Sequence, residues 1–448
     1  MAGVVPPITM GSVPGWVLLI MLLVLAYALA AYYIHRNRLW PDYITFYGPF
    51  MAIKTGKVGF FDRAIRFSTF LRAYGTIGVA MVVIVSVLMT LMLFFAIQNI
   101  IVQHPALTQA NELKNVLAIP GVNDFIPFTF AVWAGLLLTI VVHEFGHAVL
   151  CRVESIRVRS MGILLAVIPI GAFVEPDEED QERTKGLAKM RMFGAGITNN
   201  ILLGLLCFAL VVFLLGFAVP TQTPFISSVY KDMPANQAGV VPFSVIREIN
   251  NVPVTTRDDV ATVLNATKPG DQITLLVENK GVASRHTLTL SAWPAEMSNR
   301  TSGFMGVTYY DAPATKQQFE IFREPVGIIV LLAIPIYTIT DPGSWSQFSL
   351  LIIDSAESVV WQVPFAQYWT LIQILFWCGW FNLVVGTFNA LPLVPLDGGY
   401  ILREGVERVM DRRGLLKYAA YISGAVSYLM IAVLLAIIVL PLMLNAPK

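Results

Sequence analysis

The sequence predicts a polytopic α-helical membrane protein with about six transmembrane helices, a re-entrant β-hairpin and a small β-rich domain outside the membrane. Of its 448 residues, 56% are hydrophobic and 13% are charged, whereas soluble domains carry about 25% charged residues. The net charge of +1 argues against a nucleic-acid-binding chain. The three scattered cysteines exclude a disulfide framework and a cysteine-based zinc site. Any metal must therefore be held by histidines and carboxylates.

Six apolar stretches are long enough to cross a bilayer, which takes about 20 residues of helix. They cover residues 15–34, 74–98, 127–150, 192–219, 367–391 and 418–444. Lys and Arg, which stay on the cytoplasmic side, cluster after the first span, between the third and fourth spans, and before the sixth. We therefore expect a cell-membrane protein with an extracytoplasmic N-terminus. The first span is expected to be a retained anchor rather than a cleaved signal peptide, because no basic region precedes it.

Two further apolar stretches are too short for a span. Residues 161–174 contain Gly162, Pro169 and Gly171 and have cytoplasmic charges on both sides, which favours a re-entrant hairpin. Residues 326–339 contain Pro335, and we expect a short helix at the outer surface.

A polar insert at 222–322 separates the fourth and fifth spans. It contains short alternating segments such as Ile273–Glu278 and Ser284–Leu290, punctuated by turns such as Lys268–Asp271. This pattern predicts a small β-rich extracytoplasmic domain. The chain thus divides into N-terminal helices and loops (1–125), a membrane core with the hairpin (126–221), the β-rich domain (222–322) and a C-terminal membrane region (323–448).

The third span carries the chemistry, in the pattern His143-Glu144-x-x-His147. Two histidines four residues apart project from one face of a helix and can bind one zinc ion, and the adjacent Glu144 can deprotonate water. Ionisable residues within a span are costly and usually functional. Two other interpretations remain open, a polar cluster that lines a pore or packs helices, and a structural zinc site. The latter would leave Glu144 without a role.

A hydrolytic zinc has three protein ligands and one open position. Asp397, in Leu396-Asp397-Gly398-Gly399, follows an apolar run and precedes cytoplasmic arginines, so its expected depth matches that of the histidine pair. The other histidines lie in loops or in the insert, and the remaining candidate acids lie on the outer side of the membrane. Their positions therefore exclude them as the third ligand. The alternative for this segment is a helix-ending turn, in which Asp caps and Gly supplies positive φ.

Two motifs together resemble the site-2 protease family of intramembrane zinc metalloproteases. They are His143-Glu144-x-x-His147 and Asn389-x-x-Pro392-x-x-x-Leu396-Asp397-Gly398. Gly196-x-x-x-Asn200 resembles a third motif of the family, and the 169–176 segment is similar to the hairpin of its archaeal and eukaryotic branch. The matching elements extend from about 127 to 410.

The insert resembles the PDZ domains that many members of this family carry. The similarity lies in Pro234-Ala235-x-x-Ala238-Gly239 and in the segment from Val245 to Val254. The usual Gly-Asp pair is replaced by Phe243-Ser244, which affects ligand binding more than fold.

The resemblance implies regulated intramembrane proteolysis, the hydrolysis of a peptide bond in the transmembrane helix of a single-span substrate. Zinc-activated water would attack the bond, with Glu144 as general base and the active site toward the cytoplasmic side. The implied zinc ligands are His143, His147 and Asp397, and the implied substrate-binding residues are Asn200 and Asn389. The partners would be the substrate helices, the lipid bilayer and a possible peptide ligand of the PDZ-like domain, but no nucleic acid.

Two alternative functions belong to other classes. One is a catalytically inactive zinc-binding scaffold whose PDZ-like domain binds peptides. The other is a metal transporter, which would need ligands at several depths of the membrane.

Overall fold

The computed structural model describes residues 15–294, 297, 300–341 and 345–445, and the side chains within these ranges except 15–20 and 346. The predicted location of the N-terminus concerns residues 1–14, which lie outside the described residues.

The described chain forms α-helices and short β-strands. The helices are α1 (Gly15–Arg36), α2 (Ser68–Gln103), α3 (Phe130–Val153), α4 (Glu178–Arg183), α5 (Leu187–Leu215), α6 (Pro234–Gln237), α7 (Arg257–Asn265), α8 (Ala312–Gln318), α9 (Gly327–Thr340), α10 (Tyr368–Asn389), α11 (Asp397–Arg412) and α12 (Ala419–Leu444). The strands are β1 (Ile44–Tyr47), β2 (Phe50–Thr55), β3 (Val158–Ala166), β4 (Ile168–Pro176), β5 (Val219–Pro220), β6 (Phe225–Val229), β7 (Ser244–Ile249), β8 (Val252–Pro253), β9 (Gln272–Asn279), β10 (Val282–Thr289), β11 (Val307–Tyr309) and β12 (Trp361–Gln362).

Five helical segments of the described chain are long and apolar enough to cross a membrane. They contain α2, α3, α5, α10 and α12 and coincide with five of the six predicted spans. Such helices are hydrophobic all round because lipid, rather than water, surrounds them. α1 coincides with the first predicted span, but its described apolar part, Met21–Arg36, is shorter. A sixth crossing by α1 stays a prediction.

The chain divides into two compact units. The four parts expected from the sequence stay a prediction. The first unit comprises residues 1–103, 137–202 and 384–440. The second comprises 104–136, 203–383 and 441–448.

The first unit contains a four-stranded antiparallel sheet in the order β1-β2-β3-β4. β3 and β4 form a hairpin over the predicted segment 161–174, and the chain reverses at Val167, whose φ is 71°. Insertion of this hairpin into a membrane stays a prediction. β1 and β2 were not predicted from the sequence pattern. β2 pairs with β3 from Met51 to Thr55, which covers one edge of the hairpin and leaves β4 at the edge of the sheet.

Two helices of the first unit, α3 and α5, pack closely against each other. A Cβ at Gly146 would lie 2.7 Å from the carbonyl oxygen of Ala195, so this approach requires glycine. The side chain of Asn199 links three helices, since its Nδ2 donates to Val142 O (3.1 Å) and its Oδ1 accepts from Tyr74 Oη (2.6 Å). The amide thus ties α5 to both α3 and α2.

The second unit contains the predicted β-rich domain. Its sheet has the order β10-β9-β7-β6-β11, with β8 paired to β7. β9 and β10 cover the two predicted strands and join through Lys280 and Gly281, both with positive φ, which is typical of a type I′ hairpin. Apolar residues of the strands and of α7 form the domain core, including Ile226, Ile246, Val260, Leu275 and Val277.

α9 is a 14-residue apolar helix that contains Pro335, as expected for 326–339. Its position relative to a membrane stays a prediction.

Candidate metal centre

The structure brings together three side chains that the sequence analysis singled out. Nε2 of His143 lies 3.1 Å from Nε2 of His147 and 3.1 Å from Oδ2 of Asp397, and Nε2 of His147 lies 3.3 Å from the same oxygen. All three side chains are at most 15% exposed. Within the described parts of the chain, they form the only such group of His, Cys, Asp and Glu that could hold a metal ion.

Local structure explains how Asp397 reaches the histidines. Leu396 is the N-cap of α11 and Asp397 is its first residue, so the segment begins a helix rather than ending one. Gly398 and Gly399 fold tightly onto the preceding turn, because a Cβ at either position would overlap backbone atoms of residues 390–394. The two glycines therefore hold Asp397 in a fixed position relative to that turn.

The residues of α5 that face the histidines are spaced four apart. At one end, Met192 O lies 2.8 Å from Nδ1 of His147. At the other end, Nδ2 of Asn200 lies 3.2 Å from Nδ1 of His143. Between them, a Cβ at Gly196 would lie 2.6 Å from His147 Nε2 and 2.7 Å from His143 Nε2. Met192 acts through its main chain, so no side-chain motif could have revealed it.

The three donor atoms fit one zinc ion. Zinc binds nitrogen and oxygen at about 2.0–2.2 Å, so two donors of a tetrahedral site lie about 3.3 Å apart. The observed separations of 3.1, 3.1 and 3.3 Å agree with this value. Three protein donors leave one position open, as in catalytic zinc sites.

Glu144 and Asn389 line the same cavity of about 280 Å³ as the three donors. Oε2 of Glu144 accepts a hydrogen bond of 2.9 Å from the backbone N–H of Val174 on β4. This backbone contact connects the predicted base to the hairpin, and the sequence analysis missed it.

Asn200 does not line that cavity and is fully buried. The predicted contact between Asn200 and substrate stays a prediction, and the geometry favours a contact with His143.

Comparison with known proteins gives a family match over residues 131–437, to Peptidase family M50. An uncharacterized protein of Methanocaldococcus jannaschii is 24% identical over 71% of this chain and 69% of its own length. A putative zinc metalloprotease of Clostridium acetobutylicum is 23% identical over 58% of this chain and 81% of its own length.

Among solved structures, the PDZ domain of an SdrC-like protein from Listeria monocytogenes matches 21% of this chain and 93% of that domain. The identity is 20% and the TM-score is 0.18.

The family match covers more than half of the chain and includes both the histidine pair and Asp397. Together with the five apolar helices, it identifies a multi-pass membrane protein. The protein belongs to peptidase family M50 and is a metalloendopeptidase of the site-2 type.

Proposed function

We propose that the protein carries out regulated intramembrane proteolysis, with zinc-dependent hydrolysis of a peptide bond in a membrane-spanning substrate segment. One observation carries this proposal. The donors of His143, His147 and Asp397 converge to tetrahedral spacing, and Glu144 lines the same cavity.

In this proposal, His143, His147 and Asp397 hold the zinc ion. A bound zinc acts as a Lewis acid, which lowers the pKa of water and polarises a peptide carbonyl. Glu144 takes a proton from the attacking water and returns one to the leaving nitrogen. The hydrogen bond from Val174 N–H holds its carboxylate at the cavity.

The substrate would bind in an extended form. A membrane helix satisfies its backbone groups internally, so a substrate helix must unwind before its carbonyls become accessible. β4 lies at the edge of its sheet, and an extended peptide can add to such an edge through backbone hydrogen bonds. Asn389 lines the cavity, which supports a role for its side chain in binding the peptide backbone.

We further propose that the N-terminus and the β-rich domain lie outside the cytoplasm, with the active site toward the cytoplasmic side. The distribution of Lys and Arg supports this orientation. In the β-rich domain, a cavity of about 870 Å³ is lined by residues of α7 and of the edge strand β11, which supports a peptide ligand.

The experiment that tests the proposal uses the purified full-length protein, a panel of single-span substrates, Glu144→Gln and a zinc chelator. We expect Glu144→Gln to keep its zinc and lose cleavage, because Gln preserves shape but cannot accept the proton. Chelation should stop cleavage by the parent. A Gln variant that cleaves as well as the parent contradicts this mechanism.

Asp397→Ala should lower the amount of bound zinc, because it removes one of the three donors. Unchanged zinc stoichiometry would remove Asp397 from the ligand set. The alternative of an inactive scaffold is favoured if the parent binds zinc and cleaves no member of the panel.

A further inference from the structure

The side chain of Asn200 is buried behind the histidine pair without contact with the candidate substrate cavity. It is 0% exposed, and its amide faces Nδ1 of His143 at 3.2 Å. Its Oδ1 is buried without a hydrogen-bond partner among the described residues. A fully buried amide is costly unless it serves a specific contact, so the contact with His143 requires a chemical explanation.

A neutral imidazole carries its proton on one of its two nitrogens. If Nδ2 of Asn200 donates to Nδ1 of His143, the ring proton must lie on Nε2, which then has no lone pair for a metal. If the amide is rotated by 180°, Oδ1 accepts from Nδ1–H and the Nε2 lone pair is free. The two ends of an amide have nearly the same shape, so the rotation needs no repacking.

His147 already has the second arrangement. Its Nδ1 lies 2.8 Å from Met192 O, and a carbonyl can only accept, so Nδ1 carries the proton and Nε2 is free. Metal-binding histidines commonly use their second nitrogen in this way, and the partner fixes the tautomer and the orientation of the ring. Met192 and Asn200 lie two turns apart on the same face of α5.

We infer that Asn200 is a positioning residue for the metal centre. Its Oδ1 accepts a hydrogen bond from Nδ1–H of His143 and keeps that ring in the tautomer whose Nε2 binds zinc. One face of α5 thus supplies an acceptor for each histidine, a main-chain carbonyl for one and a side-chain amide for the other. This inference rests on the proposed zinc site and assigns Asn200 a role other than substrate binding.

The test measures zinc affinity by chelator competition in the parent, Asn200→Asp and Asn200→Leu. Asp keeps the acceptor oxygen and loses the donor, whereas Leu has a similar volume and loses both. We expect Asn200→Leu to bind zinc about 10- to 100-fold more weakly, the usual effect of losing such a partner. Asn200→Asp should stay within a few-fold of the parent.

Asn199→Leu is the matched control. It removes a neighbouring amide that bonds Val142 and Tyr74 but neither histidine. It therefore measures the cost of loosening the helix packing, and zinc affinity should fall less than in Asn200→Leu. Substrate kinetics at saturating zinc provide a second readout, and KM of the Asn200 variants should equal that of the parent.

Three results would overturn the inference. The first is parent-like zinc affinity in Asn200→Leu. The second is an equal loss of zinc affinity in Asn200→Asp and Asn200→Leu, which would indicate that the amide nitrogen, and not Oδ1, makes the important contact with His143. The third is a raised KM with unchanged zinc affinity, which would indicate substrate binding. A parent that binds no zinc would instead overturn the proposed function on which the inference rests, so the two failures are distinguishable.

Discussion

Gly196→Ala should disable the proposed metal centre without removing a single polar group. A Cβ at this position would lie 2.6 Å from His147 Nε2, whereas ordinary contact begins at 3.4 Å, a shortfall of about 0.8 Å. It would crowd His143 Nε2 in the same way, at 2.7 Å. The three nearest atoms are the proposed metal donors of His147 and His143 and Cε1 of the His143 ring, so these rings must move to make room.

The size of the effect follows from the tolerance of metal sites. Zinc–ligand distances are fixed to within about 0.2 Å, well below the required displacement. Misplacement by about 1 Å can cost about 100-fold in rate, and we expect cleavage by Gly196→Ala to fall by about that factor. Zinc affinity should fall by about tenfold or more. Crowding would cost about 1–3 kcal/mol in folding, partly offset by the higher helix propensity of Ala.

Gly194→Ala is the matched control on the same helix. Its Cβ would meet Val79 at 3.4 Å and Ile401 at 3.6 Å, both ordinary contacts, so zinc affinity and cleavage should match those of the parent. The assays are chelator competition for zinc and cleavage of a single-span substrate. Parent-like zinc affinity in Gly196→Ala would refute the placement of the donors against α5.

Two further predictions concern the rest of the fold. The pKa of Asp259 is lowered to about 2 because its carboxylate accepts hydrogen bonds from backbone N–H groups of two threonines at the start of α7. Its stabilising effect is therefore present above its unfolded pKa of about 3.9 and is lost as the pH falls toward 2. Hydrogen exchange of the α7 amides should accelerate over this range more in the parent than in Asp259→Asn, and identical behaviour would argue against the cap. Gly78→Ala, on α2, would overlap the side chain of Thr198 on α5 and should cost about 1–3 kcal/mol, lowering the thermal midpoint. Gly424→Ala has no atom within 4 Å of its Cβ and should not lower it, and equal midpoints would contradict the close packing of α2 on α5.

The sequence predicted the long helices and singled out the three side chains of the candidate metal centre because their signals are local or chemically rare. Apolar runs define helices in lipid, and His143, Glu144 and His147 share one helix turn. Asp397 could be matched to them by expected depth, although it lies 250 positions along the chain from His147.

Other features depend on pairings between distant segments. β1 and β2 form a short strand pair, and its place in the sheet is set by the pairing of β2 with β3, more than 100 residues later. Met192 and Val174 make their contacts through backbone atoms. Every residue has these atoms, so the residue types at 192 and 174 could not indicate the contacts. The contact between Asn200 and His143 required the geometry of two packed helices.

The N-terminal strand pair, which lies outside the region matched by the family, has a consequence for selectivity. Because β2 is hydrogen-bonded along β3, only the β4 edge of this hairpin is free, within the described part of the chain, to pair with another extended segment. That side includes Val174, whose N–H already bonds Glu144. If substrate binds along β4 as proposed, occlusion of the β3 edge would prevent unproductive docking without any added attraction for the correct peptide, a form of specificity by exclusion.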